Sequence, residues 1–235
     1  MNCPWLRSRF RAQYQTFLHS LLLCFGKNRS ANYMKQLSLF NAREVLQFPE
    51  DLLEYDPGFV PEAESAGLMR KWIAEVAWRQ QVMQMYGKEV TAPRLMAWFG
   101  DNDKSYTFSG TRFEPYAWTD ELAGLKQRIE EKTGFTFNSV LLNYYRDGND
   151  SVAWHGDNEQ ELGRNPVIAS VSLGQERRFE FRYRPDHSRK YGLTLENGSL
   201  LIMKGDLQHT WEHRIPKSKT QNGPRINLTF RTIRR

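Results

Sequence analysis

His155-Gly156-Asp157 has the spacing His-x-Asp. On extended backbone, residues i and i+2 project from one face, so this imidazole and carboxylate can grip one ion together. The alternative is a turn with a hydrogen-bonded histidine. A third ligand would complete a facial set of two histidines and one carboxylate, which leaves open positions on a ferrous ion. The other histidines are His19, His187, His209 and His213.

The second chemical signal is near the C-terminus. Arg225, Asn227, Thr229 and Arg231 share one parity, and Ile226, Leu228 and Phe230 share the other. A strand here would bury an apolar face and align two guanidiniums and an amide on the opposite face. Arginine suits bidentate carboxylate recognition. Two cations with no local acid need an anionic partner when buried; otherwise the segment is an exposed basic edge strand. Asn143 and Tyr145 also project together, opposite Leu142 and Tyr144. They can hydrogen-bond a carboxylate or keto oxygen, or form a half-solvated strand face.

These residues need a scaffold, and the chain patterns one. Pro61 can open a helix whose apolar positions are Leu68, Met69, Trp72, Ile73 and Val76. Thr119 can cap a second helix that carries Leu122, Leu125 and Ile129 and is closed by Gly134. Phe48 to Gly58 reads as irregular, and Tyr86-Gly87-Lys88 as a turn between two strands. From Phe135 the helical period disappears. Strand-like runs follow at Ser139–Tyr145, Ile168–Leu173, Arg178–Tyr183, Ser199–Met203 and Ile226–Ile233. Asp147-Gly148, Asn197-Gly198 and Asn222-Gly223-Pro224 punctuate them. Short strands at this spacing predict a barrel or jelly roll.

The chain has 235 residues, 40% of them hydrophobic and 26% charged, which describes a globular protein of one domain, or one with an appendage. Its longest apolar run, Leu21 to Phe25, is too short to span a membrane. Both cysteines, Cys3 and Cys24, precede residue 44, so the main body can hold no disulfide framework, catalytic thiol or cysteine-ligated zinc. That suits a reducing compartment, the cytoplasm or a eukaryotic nucleus. Residues 1–43 contain seven basic residues and no acid. They read as a misplaced translation start ahead of Met34, a targeting segment or a disordered basic arm. The C-terminal part is also basic, so the net charge of +6 leaves the middle acidic. The basic ends hint at a polyanion partner or are an ordinary solvated surface. No P-loop, dinucleotide fingerprint, H-E-x-x-H or G-x-S-x-G is present. Asp101-x-Asp103 opens like a calcium loop, but Tyr106 and Arg112 stand where Gly and Glu are required.

Taken together, these residues resemble the AlkB family of iron(II)- and 2-oxoglutarate-dependent dioxygenases. The resemblance rests on Asn143-Tyr144-Tyr145, on His155-Gly156-Asp157, on Trp211-Glu212-His213-Arg214-Ile215-Pro216 and on Arg225-Ile226-Asn227-Leu228-Thr229-Phe230-Arg231. It implies a mostly β, α+β fold: a double-stranded β-helix, or jelly-roll, core with N-terminal helices and a nucleotide-recognition lid. The expected division is a basic segment over 1–43, helices and lid over 44–134, and the dioxygenase core over 135–235. The resemblance implies iron ligation by His155, Asp157 and His213, with His209 the rival third ligand. Arg225, Arg231, Asn143, Tyr145 and Asn227 would form the 2-oxoglutarate site, and molecular oxygen would be the oxidant.

Tyr106-Thr107-Phe108-Ser109-Gly110 is similar to the lid of members acting on alkylated nucleic acid, and Tyr106 and Phe108 can stack on a base. Glu159 resembles an acid that contacts the lesion base. Met85-Tyr86-Gly87 resembles an intercalating finger, although its residues differ in detail. The implied activity is oxidative demethylation of 1-methyladenine and 3-methylcytosine in single- or double-stranded DNA by a monomer. Such a base must be flipped or unpaired to be reached. Lys204, Arg214, Lys217 and Lys219 would track phosphates. RNA or tRNA base modification and a non-catalytic nucleic-acid-binding module are the alternatives.

Overall fold

The structure, a computed structural model, describes residues 50–85, 88–101, 106–108, 111–113 and 115–234. The basic segment over 1–43 and Tyr86-Gly87 lie outside the described residues.

The strands preceding the second helix are β1 (Leu53–Asp56), β2 (Val82–Met85), β3 (Lys88–Thr91), β4 (Leu95–Gly100), β5 (Tyr106–Phe108) and β6 (Thr111–Phe113). Those following it are β7 (Ser139–Tyr145), β8 (Val152–His155), β9 (Ile168–Gly174), β10 (Arg177–Tyr183), β11 (Lys190–Leu195), β12 (Ser199–Met203), β13 (Trp211–Ile215) and β14 (Arg225–Arg231). The helices are α1 (Glu62–Glu75), α2 (Asp120–Thr133) and the one-turn α3 (Leu207–Thr210).

A six-stranded sheet has the order β1-β12-β9-β14-β7-β4, and a four-stranded sheet the order β11-β10-β13-β8. Successive strands from β7 to β10 alternate between the sheets, as do β11 to β14. All pairings within both sheets are antiparallel. This winding is the double-stranded β-helix. β1 and β4 extend the large sheet at its two edges, and β2–β3 and β5–β6 are separate two-stranded ribbons.

Strand alternation sorts the side chains. Ile226, Leu228 and Phe230 of β14, with Val140 and Leu142 of β7, meet Met69 and Trp72 of α1 and Leu122, Leu125 and Ile129 of α2 in one apolar layer. The other face of the large sheet packs against Phe179, Phe181, Leu193, Leu195 and Ile215 of the small sheet. Fully burying a large apolar side chain contributes about 1.5–3 kcal/mol, so each layer fixes the strand register strongly. A one-residue slip of β14 would drive Arg225 and Arg231 into the helix-facing layer.

The second helix follows its sequence signals. Thr119 Oγ1 accepts from the Leu122 amide at 3.3 Å, and Gly134 closes the helix at φ 74°, a conformation that favours glycine. Pro61 occupies the N-cap of α1, one position earlier than its sequence role suggests. The stretch read as irregular differs more. Leu53–Asp56 is a strand, because pairing with β12 satisfies its backbone and Tyr55 reaches the Thr194 carbonyl at 3.1 Å.

Candidate metal and co-substrate site

His155 ends β8, the edge strand of the small sheet, and stands directly opposite His213 on β13. The register shifts between His213 and Ile215, an irregularity that re-aims side chains. The two imidazole centroids are 4.3 Å apart. Asp157 follows two residues after His155, and the ligand atoms of His155, Asp157 and His213 all lie within 4.8 Å of one another. His155 Nδ1 is 2.8 Å from the Ala153 carbonyl. That contact assigns the proton to Nδ1 and leaves the Nε2 lone pair, 3.9 Å from Asp157 Oδ1, available to a metal. His209 is exposed on α3 and meets the Asn165 amide at 3.4 Å, apart from this cluster.

The electrostatics favour the ligating protonation states. Burial alone would raise the Asp157 carboxyl. Arg231, whose Nη2 sits 2.8 Å from Oδ1, outweighs it together with the two imidazoles and holds the group below its ordinary value. Burial, and then the neighbouring His155, pushes His213 down to about 3. His213 is thus a neutral imidazole at ordinary pH, the form that binds a metal.

A cavity of about 1000 Å³ between the sheets opens onto this cluster. Asn143, Tyr145, Arg225, Asn227 and Arg231 all line it, as their shared strand parity requires. Arg225 is fully buried on β14, a central strand rather than an exposed edge. Its Nη2 donates to Ser172 Oγ at 3.0 Å, and its guanidinium lies 5.0 Å from the Tyr145 ring centroid. Its Nε and Nη1 are buried without hydrogen-bond partners. Burial lowers its pKa to about 10, so it remains a cation at neutral pH. Among the described residues no carboxylate pairs with it. A desolvated guanidinium with unmet donors is what an incoming carboxylate helps to complete. The donor set therefore fits both groups: His/Asp/His for iron(II), and a buried arginine beside it for a dicarboxylate.

The remaining predicted residues divide. Asn143 Oδ1 accepts from Arg94 Nε at 2.8 Å, which leaves its NH2 group for the cavity. Asn227 donates to Ser170 Oγ at 2.8 Å and the Val171 carbonyl at 3.1 Å, and accepts from Thr229 at 3.1 Å, so its groups serve the strand face itself. Glu159 lines the cavity with a buried, unpartnered Oε2. Met85 ends β2, and Tyr106 and Phe108 lie on β5. Of the expected phosphate track, Lys204 pairs with Glu54 and Arg214 with Glu180, whereas Lys217 and Lys219 are exposed.

Three buried residues escaped the sequence reading. Arg94 meets Asn143 across 49 positions. Arg177, fully buried, donates to the carbonyls of Asp147, Asp150 and Pro216. Gln208 contacts the backbone of Asp157. Arg94 beside Pro93, just ahead of an apolar run, was the one weak local signal. The contacts themselves are long-range.

The fold and the His/Asp/His cluster have the arrangement of the facial-triad class, and the chain matches the 2OG-Fe(II) oxygenase superfamily over residues 52–231. Within that superfamily it belongs to the AlkB family. The human "Alpha-ketoglutarate-dependent dioxygenase alkB homolog 3" is 42% identical over 186 residues, 75% of this chain and 64% of that protein. The mouse "DNA oxidative demethylase ALKBH2" is 40% identical over 158 residues, 64% of this chain and 66% of that protein. The chain thus spans just under two thirds of the length of these curated relatives. The solved structure of OsALKBH1 shares the fold, with a TM-score of 0.58 at 15% identity over 77% of this chain and 97% of that one.

Proposed function

We propose that this chain is an iron(II)- and 2-oxoglutarate-dependent dioxygenase that demethylates N-alkylated bases in nucleic acid. The observation that carries this reading is the pair of unmet Arg225 donors in the cavity that holds His155, Asp157 and His213. His155, Asp157 and His213 would hold iron(II). Arg225 would bind the distal carboxylate of 2-oxoglutarate, with the free amide of Asn143 and the Tyr145 hydroxyl beside it. Arg231 would orient Asp157 through their ion pair, and Asn227 would order the strand face. With molecular oxygen, the bound iron and 2-oxoglutarate supply an oxidation coupled to decarboxylation, which hydroxylates an N-methyl group so that it leaves as formaldehyde.

The cavity is at the upper end of ordinary ligand pockets, about 300–1000 Å³, and has room for a flipped base beside the co-substrate. The relative named as a DNA oxidative demethylase supports DNA as the polymer; RNA is the second candidate. The unpartnered Oε2 of Glu159 can accept from the exocyclic amine of 1-methyladenine or 3-methylcytosine. Its charge also favours these cationic bases over neutral 3-methylthymine. Tyr106 and Phe108 would stack on the base, and Met85-Tyr86-Gly87 would act as an intercalating finger. In this division of labour residues 135–235 supply the chemistry and 44–134 the recognition. A monomer in the cytoplasm or nucleus would suffice. Among the described residues no helix is long and apolar enough to cross a membrane.

The test is succinate release with iron(II) and ascorbate. Stimulation by methylated single-stranded DNA, but not by a methylated peptide, supports the reading. Equal stimulation by the peptide overturns it.

A further inference from the structure

β8 ends at His155, and Gly156 to Glu159 belong to no strand or helix. A metal ligand at Asp157 therefore sits on backbone that no sheet ladder fixes. The Asp157 amide instead donates to Gln208 Oε1 at 3.0 Å, across 51 positions of sequence. Gln208 is buried on α3, with 1% of its surface exposed. Its own orientation is set, because Nε2 lies 3.7 Å from the Met203 sulfur. Flipping the amide would turn its NH2 group towards the Asp157 N–H and leave two donors face to face. The same helix also crowds Gly156, where a Cβ would meet Arg184 Nη2 and lie 2.8 Å from the Gln208 carbonyl oxygen. The residue between the two ligands thus needs to be glycine for α3 to come close enough.

We propose that Gln208 is a positioning residue for Asp157: its side-chain carbonyl pins the backbone of the metal-binding loop, as Arg231 pins the carboxylate. The inference rests on the iron site proposed above. With both ends held, the carboxylate meets the two imidazoles without an ordering cost at binding. Loss of an outer partner of a metal ligand typically weakens metal affinity by about 10–100-fold.

The experiment measures Mn(II) affinity of the full chain by electron paramagnetic resonance and records the visible spectrum of the Co(II)-substituted protein. Gln208→Leu is expected to weaken Mn(II) binding about tenfold and to alter the Co(II) spectrum. Gln208→Glu keeps an acceptor at the same reach and should restore both. Equal affinity and spectrum in Gln208→Leu and the unsubstituted protein would overturn the positioning role. Failure of the unsubstituted protein to bind Mn(II) or Co(II) would instead overturn the iron site. Amide hydrogen exchange on the unsubstituted protein needs no variant to fold. Slow exchange at Asp157 is expected, and exchange as fast as at an exposed loop amide would refute the bond.

Discussion

Replacing Arg225 by methionine keeps much of the side-chain volume and removes the guanidinium. Nε and Nη1 of Arg225 are buried without partners on the cavity that holds the triad. A hydrogen bond to a charged group contributes about 1.5–3 kcal/mol. A carboxylate that takes one of these donors therefore gains about 1.5–3 kcal/mol, roughly ten- to a hundredfold in affinity. The KM for 2-oxoglutarate should rise about ten- to a hundredfold, with kcat at saturating co-substrate changing less. The free protein should respond in the opposite direction. Arg225 has Ser172 Oγ and Tyr145 around its charge and no carboxylate among the described residues. Exchanging a poorly paired buried charge for an apolar side chain of similar size is often neutral, or stabilising by about 1–4 kcal/mol. Without 2-oxoglutarate, Arg225→Met should therefore melt no lower than the unsubstituted protein. It should also lose the rise in Tm that 2-oxoglutarate gives at fixed Mn(II). The assay is a thermal titration with 2-oxoglutarate beside initial rates of succinate formation. An unchanged KM together with an unchanged thermal response would show that the co-substrate carboxylate binds elsewhere.

His213→Ala should reduce succinate formation to background with the circular dichroism spectrum preserved, whereas His209→Ala should remain active; the reverse result would move the third ligand to α3. In metal-free protein, burial holds His213 at about 3 against an ordinary value of 6.5. Between those values the unfolded chain takes up a proton that the native state refuses, so stability must fall as pH drops. The loss by pH 5 is about 2 kcal/mol, and denaturant titrations should find it diminished in His213→Gln; an identical pH slope in the variant would contradict the assignment. Glu159→Gln should narrow the preference for cationic 1-methyladenine over neutral 3-methylthymine by about tenfold. An unaltered ranking in competition assays would make Glu159 structural.

Where function imposes a pattern on one strand, the sequence was legible. Alternation in β14 separated Arg225, Asn227, Thr229 and Arg231 from Ile226, Leu228 and Phe230, and the two sets face the cavity and the helices respectively. The second helix was readable because Thr119 and Gly134 act on their own neighbours. β13 was harder. Its Trp-Glu-His-Arg-Ile run sets charges between inward residues, and the facing β10 matches them through Arg182 to Glu212 and Arg214 to Glu180. β1 has the same difficulty, since its partner strand lies well over a hundred residues away. Arg94 and Gln208 act on Asn143 and Asp157 through single long-range hydrogen bonds. Periodicity carries no trace of a contact that depends on how two separate elements pack. The residues that line the cavity could thus be read from the chain, while those that hold them in place needed coordinates.

Mass spectrometry of an oligonucleotide carrying one 1-methyladenine, incubated with the protein, iron(II), 2-oxoglutarate and ascorbate, tests the central claim most directly. The expected result is conversion to unmodified adenine, one succinate formed per methyl group removed, and no conversion by the His213→Ala protein. Succinate formation with the methyl group left in place, across methylated DNA and RNA alike, would contradict it.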